Sequence, residues 1–206
     1  MYLAFDGPDG GGKSTQVERL VAMLRATGRE VAAVREPGST PVGEALRQLL
    51  LDPATGEMSP LAEGLLFFAA RAEMVRTEVA PALAAGAIVV ADRCYLSTKV
   101  YQGVAATHGL GADLAAALTE AAHGAARPDG IFVLDVSYEV GVQRRHGGVA
   151  DRIEQRGRDY HERVRRGYLE LARRDPIVSV INAEADADIV HQEIAARVLA
   201  LLGEHR

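Results

Sequence analysis

Short apolar runs alternate along this chain with longer segments whose apolar positions recur at helical spacing. The short runs lie at Tyr2–Phe5, Val31–Val34, Ala87–Ala91, Ile131–Val136 and Ile177–Ile181. Their alternation with helices predicts an α/β fold, with a parallel sheet covered on both faces. Helices are predicted over Ser14–Ala26, stopped by Gly28; over Val42–Leu51, stopped by Asp52-Pro53; and over Leu61–Ala85, bent near Pro81 and stopped by Gly86. Further helices are predicted over Leu96–Ala106, Ala112–Ala125, Tyr138–Arg145, Asp159–Arg174 and Asp186–Leu202. The alanine-rich stretch Ala112–Ala126 reads as an ordinary packed helix, because alanine is the best helix former. His146–Ala150, with its glycines and no periodicity, reads as a loop.

No Pro/Ser-rich or highly charged linker divides the 206 residues, so a single domain over 1–206 is expected. With 23 Lys and Arg against 28 Asp and Glu, the net charge is -5. That balance argues against nucleic acid or an anionic membrane as a partner and leaves small ligands, although local arginine clusters can still grip phosphates. The single cysteine, Cys94, allows no intramolecular disulfide and no Cys-based zinc site, which points to the cytoplasm. Met1–Asp6 reads as a strand rather than a leader, and no apolar run reaches the roughly 18 residues of a membrane span. The six histidines are scattered without ligand spacing.

The strongest chemical signal is Gly7-Pro8-Asp9-Gly10-Gly11-Gly12-Lys13-Ser14, which fits G-x-x-x-x-G-K-[ST] between a strand and a helix. Glycines at this spacing let backbone N–H groups and a helix N-terminus face phosphate oxygens. Lys13 reaches the β and γ positions, and Ser14 can ligate Mg²⁺. The expected nucleotide-binding set is Gly7, Asp9, Gly10, Gly11, Gly12, Lys13, Ser14 and Thr15, with ATP and Mg²⁺ as the ligands. A GTP-binding switch protein is disfavoured: the third strand ends in Asp92-Arg93-Cys94-Tyr95 instead of D-x-x-G, and no N-K-x-D occurs. A compact chain with a late arginine-rich segment suits a small kinase that closes a lid over its donor.

Five further motifs follow in order: Arg35-Glu36-Pro37-Gly38-Ser39-Thr40, Phe67-Phe68-Ala69-Ala70-Arg71, Asp92-Arg93, Ser97-Thr98-Lys99-Val100-Tyr101-Gln102-Gly103 and Asp151-Arg152-Ile153-Glu154. With the phosphate loop, this series resembles the ordered signature of the thymidylate kinases over nearly the whole chain. The resemblance implies transfer of the γ-phosphoryl group of ATP to dTMP in dTTP synthesis. It also implies a P-loop kinase fold with strand order 2-3-1-4-5 and a homodimer that packs helices side by side. A kinase for another nucleoside monophosphate such as dUMP, and a nucleotide-binding module without catalysis, remain as alternatives. Thymine differs from uracil by a methyl group worth only about 1 kcal/mol in a pocket.

Residue by residue, Arg93 and Arg35 lie just past strand ends, where ligands of open α/β sheets bind, and the resemblance puts Arg93 on the dTMP phosphate. Asp92, at a strand end, suits a Mg²⁺ contact; a turn cap is its structural alternative. Asp9 is implied to contact the sugar 3′-hydroxyl and the metal region. Phe67 and Arg71, four residues apart, share a helix face and are implied to meet thymine, with the guanidinium at O4. Phe68 reads as core, and Phe67 in the core is the alternative for that ring. Thr98, Tyr101 and Gln102 complete the implied pocket, with Gln102 near the base edge and Tyr101 against the 2′ position. Arg47 is either a further base contact or a solvated helix arginine.

The loop carries no cation before Lys13, so charge on the transferring phosphoryl falls to a short lid around 143–156. Its candidates are Arg144, Arg145 and Arg152, which join Lys13 and Arg93 as the catalytic set. His146-Gly147-Gly148 stands where relatives often carry further arginines. Other departures are Ser39 for the usual glycine, Cys94 for a common aromatic, and Val100 for the usual alanine, where added bulk is expected to press on the sugar-facing side. Asn182-Ala183 is expected to lie either against adenine or in a plain turn.

Overall fold

The computed structural model describes residues 1–145 and 150–204. Five strands, β1 (Tyr2–Asp6), β2 (Val31–Arg35), β3 (Ile88–Asp92), β4 (Gly130–Asp135) and β5 (Val178–Asn182), form a parallel sheet in the order β2-β3-β1-β4-β5. Each lies where the apolar runs predict, and the spatial order is the one implied by the family resemblance. Register sets Phe5 and Arg35 both opposite Asp92, so the carboxyl ends of β1, β2 and β3 emerge side by side.

Alternation along β1 divides the core. Leu3 and Phe5 face α1 (Lys13–Ala26) and α9 (Ala187–Glu204), packing with Leu20, Leu24, Ile194 and Val198. Tyr2 and Ala4 face the opposite side, with Met74, Val79, Val100, Val164 and Tyr168. Burial on both faces explains why the central strands run apolar up to their terminal aspartates, Asp6, Asp92 and Asp135, instead of alternating. Phe68 is buried with Leu110 in a smaller cluster, as expected for a core aromatic.

Between β2 and β3, α2 (Pro41–Leu51) starts on the Thr40 hydroxyl, which accepts from the Gly43 amide at 2.8 Å. The long helix expected over 61–85 is α3 (Pro60–Met74), a π-helical turn (Val75–Val79) and α4 (Ala80–Ala84). The expected bend therefore begins before Pro81, which has no N–H to give the preceding turn. After β3 come α5 (Tyr95–Thr98) and a second π-turn, Lys99–Val104. α6 (Ala112–His123) ends at Gly124 with φ 51°, shorter than the segment to Ala125. α7 (Tyr138–Arg144) follows β4, and α8 (Arg158–Ala172) leads back to β5. Among the described residues no helix is long and apolar enough to cross a membrane.

Candidate active site

The loop between β1 and α1 turns on glycine. Gly7 has φ 125°, and a Cβ there would sit 2.6 Å from the Leu134 carbonyl oxygen; Gly10, also at positive φ, would collide with Gly141. α1 begins after Gly12 with no side-chain cap among the described residues, which leaves its first amides for a ligand. Lys13 is buried, and its ammonium donates to the Gly7 and Pro8 carbonyls at 3.0 and 2.8 Å. Burial and the neighbouring Arg93 charge lower its pKa to about 8 against the pull of Asp9 and Asp92. Ser14 Oγ donates to Asp92 Oδ2 at 2.6 Å, joining the start of α1 to the end of β3.

Arg93 follows Asp92 in a left-handed conformation, φ 75°, which costs a non-glycine residue of order 1–3 kcal/mol. Its amide donates to the Phe5 carbonyl at 2.8 Å, and its guanidinium pairs with Asp9, donates to Ser97 Oγ at 3.0 Å and lies over the Tyr101 ring. Among the described residues its ion-pair partners are Asp9 and, at 3.9 Å, Asp6, and not its neighbour Asp92. Asp9 also accepts from the Tyr101 hydroxyl at 2.9 Å. Burial alone would raise the Asp9 pKa, but the Arg93 and Lys13 charges and the Tyr101 hydrogen bond bring it down to about 2.

Beneath this group Asp6, fully buried, accepts from the Ser97 amide at 3.1 Å, Ser97 Oγ at 2.5 Å and the Tyr168 hydroxyl at 2.6 Å. The carboxylate thereby ties the root of the phosphate loop to the turn that carries Arg93 and to α8. Cys94 is buried against the same carboxylate, and burial pushes its thiol pKa well up, so it is packing rather than a reactive thiol.

A cavity of about 400 Å³ opens at this edge of the sheet. Its walls include Lys13, Ser14, Thr15 and Asp92 together with Arg35, Arg47, Phe67, Arg71, Arg93, Thr98, Tyr101 and Gln102. Arg71 is buried: Nε donates to Glu36 Oε2 at 2.7 Å and Nη2 to Thr98 Oγ1 at 3.0 Å, while Nη1 has no partner among the described residues. The second π-turn places Tyr101 and Gln102 on this wall, and Gln102 Nε2 donates to Glu63 Oε1 at 2.6 Å. Phe67 is half-buried; it lines the cavity and also packs against the core. Arg35 pairs with Glu44 at 2.8 Å and not with its neighbour Glu36. Arg47 donates to the Pro37 carbonyl at 3.0 Å, so it is anchored rather than freely solvated.

The three lid arginines part company. Arg145 donates to the Gly141 carbonyl at 3.2 Å and reaches the cavity wall. Arg144 donates to the Ala183 carbonyl at 2.6 Å, just past β5. Arg152 is turned away from the cavity: it donates to the Leu50 carbonyl at 2.8 Å and to Glu63 at 2.5 Å, and is buried there. Expected in the catalytic set, it stands here against the buried Glu63 carboxylate, which demands a cation. His146, Gly147 and Gly148, where the lid is expected to lack arginines, lie outside the described residues.

Two departures are absorbed locally. Ser39 adopts φ 66°, where glycine is easy, and its hydroxyl accepts from the Arg35 amide at 2.7 Å. Val100, expected to press on the sugar side, is fully buried and packs toward Gly167 of α8, which has no side chain to meet it. Glu36, Glu63, Asp6 and Tyr168 are absent from the sequence-derived set. Glu36 was visible within the second motif, and Glu63 as the one acid in the apolar stretch 60–70 of α3.

The family pattern described as thymidylate kinase matches residues 5–194. The thymidylate kinase of Symbiobacterium thermophilum is 44% identical over 203 residues, 98% of this chain and 94% of the relative. That of Caulobacter vibrioides is 44% identical over 204 residues, 98% of this chain and 97% of the relative. The crystal structure of thymidylate kinase from Ehrlichia chaffeensis superimposes with a TM-score of 0.78 at 28% identity, covering 96% of this chain and 98% of the other. On the match of family pattern, full-length relatives and fold, this chain belongs to the thymidylate kinase family.

Proposed function

We propose that the chain transfers the γ-phosphoryl group of ATP to dTMP, giving dTDP and ADP, with the phosphate loop holding the donor and the Arg93 side of the cavity holding the acceptor. The observation that carries this reading is the shared cavity, lined at once by Lys13 and Ser14 and by Arg71, Arg93 and Gln102. Phosphoryl transfer is mainly positioning and charge stabilisation, and two anionic substrates need cations on both sides.

On the donor side the uncapped first turn of α1, the glycine loop and Lys13 hold the phosphates. The Ser14 hydroxyl and Asp92 carboxylate offer adjacent hard oxygens, which suit Mg²⁺, a cation that keeps waters and phosphate oxygens as most of its ligands. When bound there, Mg²⁺ neutralises charge between the phosphoryl groups. Thr15, which lines the cavity beside Ser14, completes the donor set.

On the acceptor side Arg93 takes the dTMP phosphate, with Arg35 and Arg47 flanking. A phosphate monoester has its second pKa near 6, so the attacking oxygen is already ionised at neutral pH and no general base is required. Asp9, with its pKa at about 2, stays a pure acceptor and holds the sugar hydroxyl together with Tyr101. Phe67 stacks on thymine, Arg71 Nη1 donates to O4, and Thr98 and Gln102 close the base edge. A fixed donor at O4 rejects cytosine, whose C4 carries an amine; dUMP serves as a poorer acceptor.

Residues 143–156 form the lid of a single domain, with Arg145 supplying charge to the transferring phosphoryl and Arg144 ordering the loop after β5. The chain acts in the cytoplasm, the compartment of its nucleotide substrates. It acts as a homodimer, supported by the exposed Leu49 of α2 and Leu61 and Leu65 of α3. The test is ADP release from ATP and Mg²⁺ with dTMP, dUMP, dCMP or AMP offered separately and Lys13→Ala as the blank. Turnover highest with dTMP and absent in the variant is expected. ATP binding without turnover on any acceptor would favour the non-catalytic module.

A further inference from the structure

We infer that Glu63, which does not line the cavity, sets the pyrimidine specificity of the site by fixing which end of the Gln102 amide faces the base. The inference rests on the reading above that Arg71 and Gln102 meet the base edge.

Glu63 sits in α3 with no exposed surface, and Gln102 is 1% exposed. The two side chains meet at 2.6 Å. A carboxylate has only lone pairs to offer, so the Gln102 atom against it must be the amine; the flipped amide would set oxygen against oxygen in a buried place. The Gln102 carbonyl oxygen is thereby the end left for the cavity. Glu63 itself cannot turn to relax this geometry. Its other oxygen accepts from Arg152 at 2.5 Å and Arg156 at 2.6 Å. Those arginines are held in turn, Arg152 by the Leu50 carbonyl at 2.8 Å and Arg156 by the Tyr160 hydroxyl at 2.6 Å.

The wall then presents a donor, Arg71 Nη1, and an acceptor, Gln102 Oε1. That pair matches a pyrimidine with a 4-oxo group and an N3–H, as in thymine and uracil. Cytosine carries the inverse pair, an amine at C4 and a bare N3, and meets like against like at both positions. An amide free to flip would offer its N–H to the bare N3 and give up half of this discrimination. Glu63 is therefore a positioning residue for selectivity, acting through Gln102.

The test compares kcat/KM for dTMP with that for dCMP in the wild type and in Glu63→Gln, Glu63→Asp and Gln102→Ala. Glu63→Gln is expected to lower the dTMP-to-dCMP ratio about tenfold, through KM for the nucleoside monophosphate, with KM for ATP unchanged. Glu63→Asp keeps the charge facing Arg152 and Arg156 but withdraws it from Gln102, and is expected to lower the ratio similarly at near wild-type thermal stability. A purely structural Glu63 would slow both substrates alike, and an unchanged ratio in a folded variant overturns the inference. In the unaltered protein, NMR is expected to place the Gln102 amine protons near Glu63 and not near thymine; contacts between those protons and the bound base overturn it without any variant. If Gln102→Ala leaves KM for dTMP unchanged, the base-edge reading itself fails and the inference falls with it.

Discussion

Ser14 Oγ and Asp92 Oδ2 lie 2.6 Å apart although 78 residues separate them in sequence. The parallel pairing of β1 with β3 brings them together, because both strands release their next residues at the same edge. A hydroxyl and a carboxylate so placed are the proposed seat of the Mg²⁺ that accompanies ATP. Ser14→Ala and Asp92→Asn are each expected to cut turnover on the order of 10- to 100-fold, by analogy with losses at other metal-site residues. The loss should show as a raised Mg²⁺ requirement in titrations at saturating nucleotide. An unchanged Mg²⁺ dependence in Asp92→Asn would remove Asp92 from the metal site.

Burial first, and then the Arg93 charge, lower the Lys13 pKa to about 8. Below that pH the ammonium is charged and can hold phosphate; above it the free enzyme carries a neutral amine. We expect kcat/KM for ATP to fall as pH rises through about 8. ATP phosphates favour the charged form, so kcat, which reports the occupied site, should hold to higher pH. Parallel pH profiles of kcat and kcat/KM measure the separation, and coincident alkaline limbs would contradict it.

The fold was legible because its central strands, such as Tyr2–Asp6 and Ile88–Asp92, are buried on both faces and carry no alternation to confuse with a hairpin. Boundaries slipped where the backbone changes hydrogen-bond pattern. Neither π-turn, Val75–Val79 nor Lys99–Val104, has a local signature, since a single turn is too short for its altered spacing to stand out from the ordinary scatter of apolar positions.

The cavity lining was legible where a residue's type and its place in a motif point to a ligand, as for Lys13, Arg71, Arg93 and Tyr101. Residues that hold those side chains were not. Glu63 meets Gln102, Arg152 and Arg156 across distances of 39, 89 and 93 residues, and no spacing within its own helix reports such partners. The partner of Arg152 was hidden for the same reason: a charge near a lid reads as a ligand contact, and the buried acid opposite it lies 89 residues away in sequence.

The buried pair of Glu36 and Arg71 makes a separable prediction about stability and recognition. Both side chains are almost fully buried, with the closest approach 2.5 Å. Removing a single partner strands a charge, so Glu36→Ala is expected to cost about 3–5 kcal/mol. For a chain of this size that lowers the melting temperature by roughly 6–20 °C. Replacing both, Glu36→Leu with Arg71→Met, should recover much of the stability, since apolar residues of similar volume can substitute for a buried pair. It should not recover KM for dTMP, because the donor at Nη1 is gone. Thermal melts and steady-state kinetics on the single and double variants measure the two effects apart, and a double variant that regains dTMP affinity would show that Arg71 serves only the core.

The lid arginines are distinguished by what each already holds. Arg145 reaches the cavity and, among the described residues, gives one hydrogen bond, to the Gly141 carbonyl, with Glu154 3.6 Å away, so its charge is available to phosphate at little structural cost. Arg145→Ala is expected to lower kcat by on the order of 10²–10³, the loss typical of a lone donor to a developing charge, and to leave the melting temperature near that of the wild type. Arg144 binds the carbonyls of Ala183 and Glu184, so Arg144→Ala should act mainly through KM for ATP by loosening the loop after β5. Arg152 makes no contact with the cavity and neutralises Glu63, and Arg156 remains to share that load when it is removed. Arg152→Ala is therefore expected to lower thermal stability more than kcat. Turnover at saturating substrate and thermal melts on the three variants sort these roles: a hundredfold loss of kcat in Arg152→Ala at wild-type stability would return Arg152 to the catalytic set, since an anchor of Glu63 cannot act on the transferring phosphoryl without first disturbing the fold.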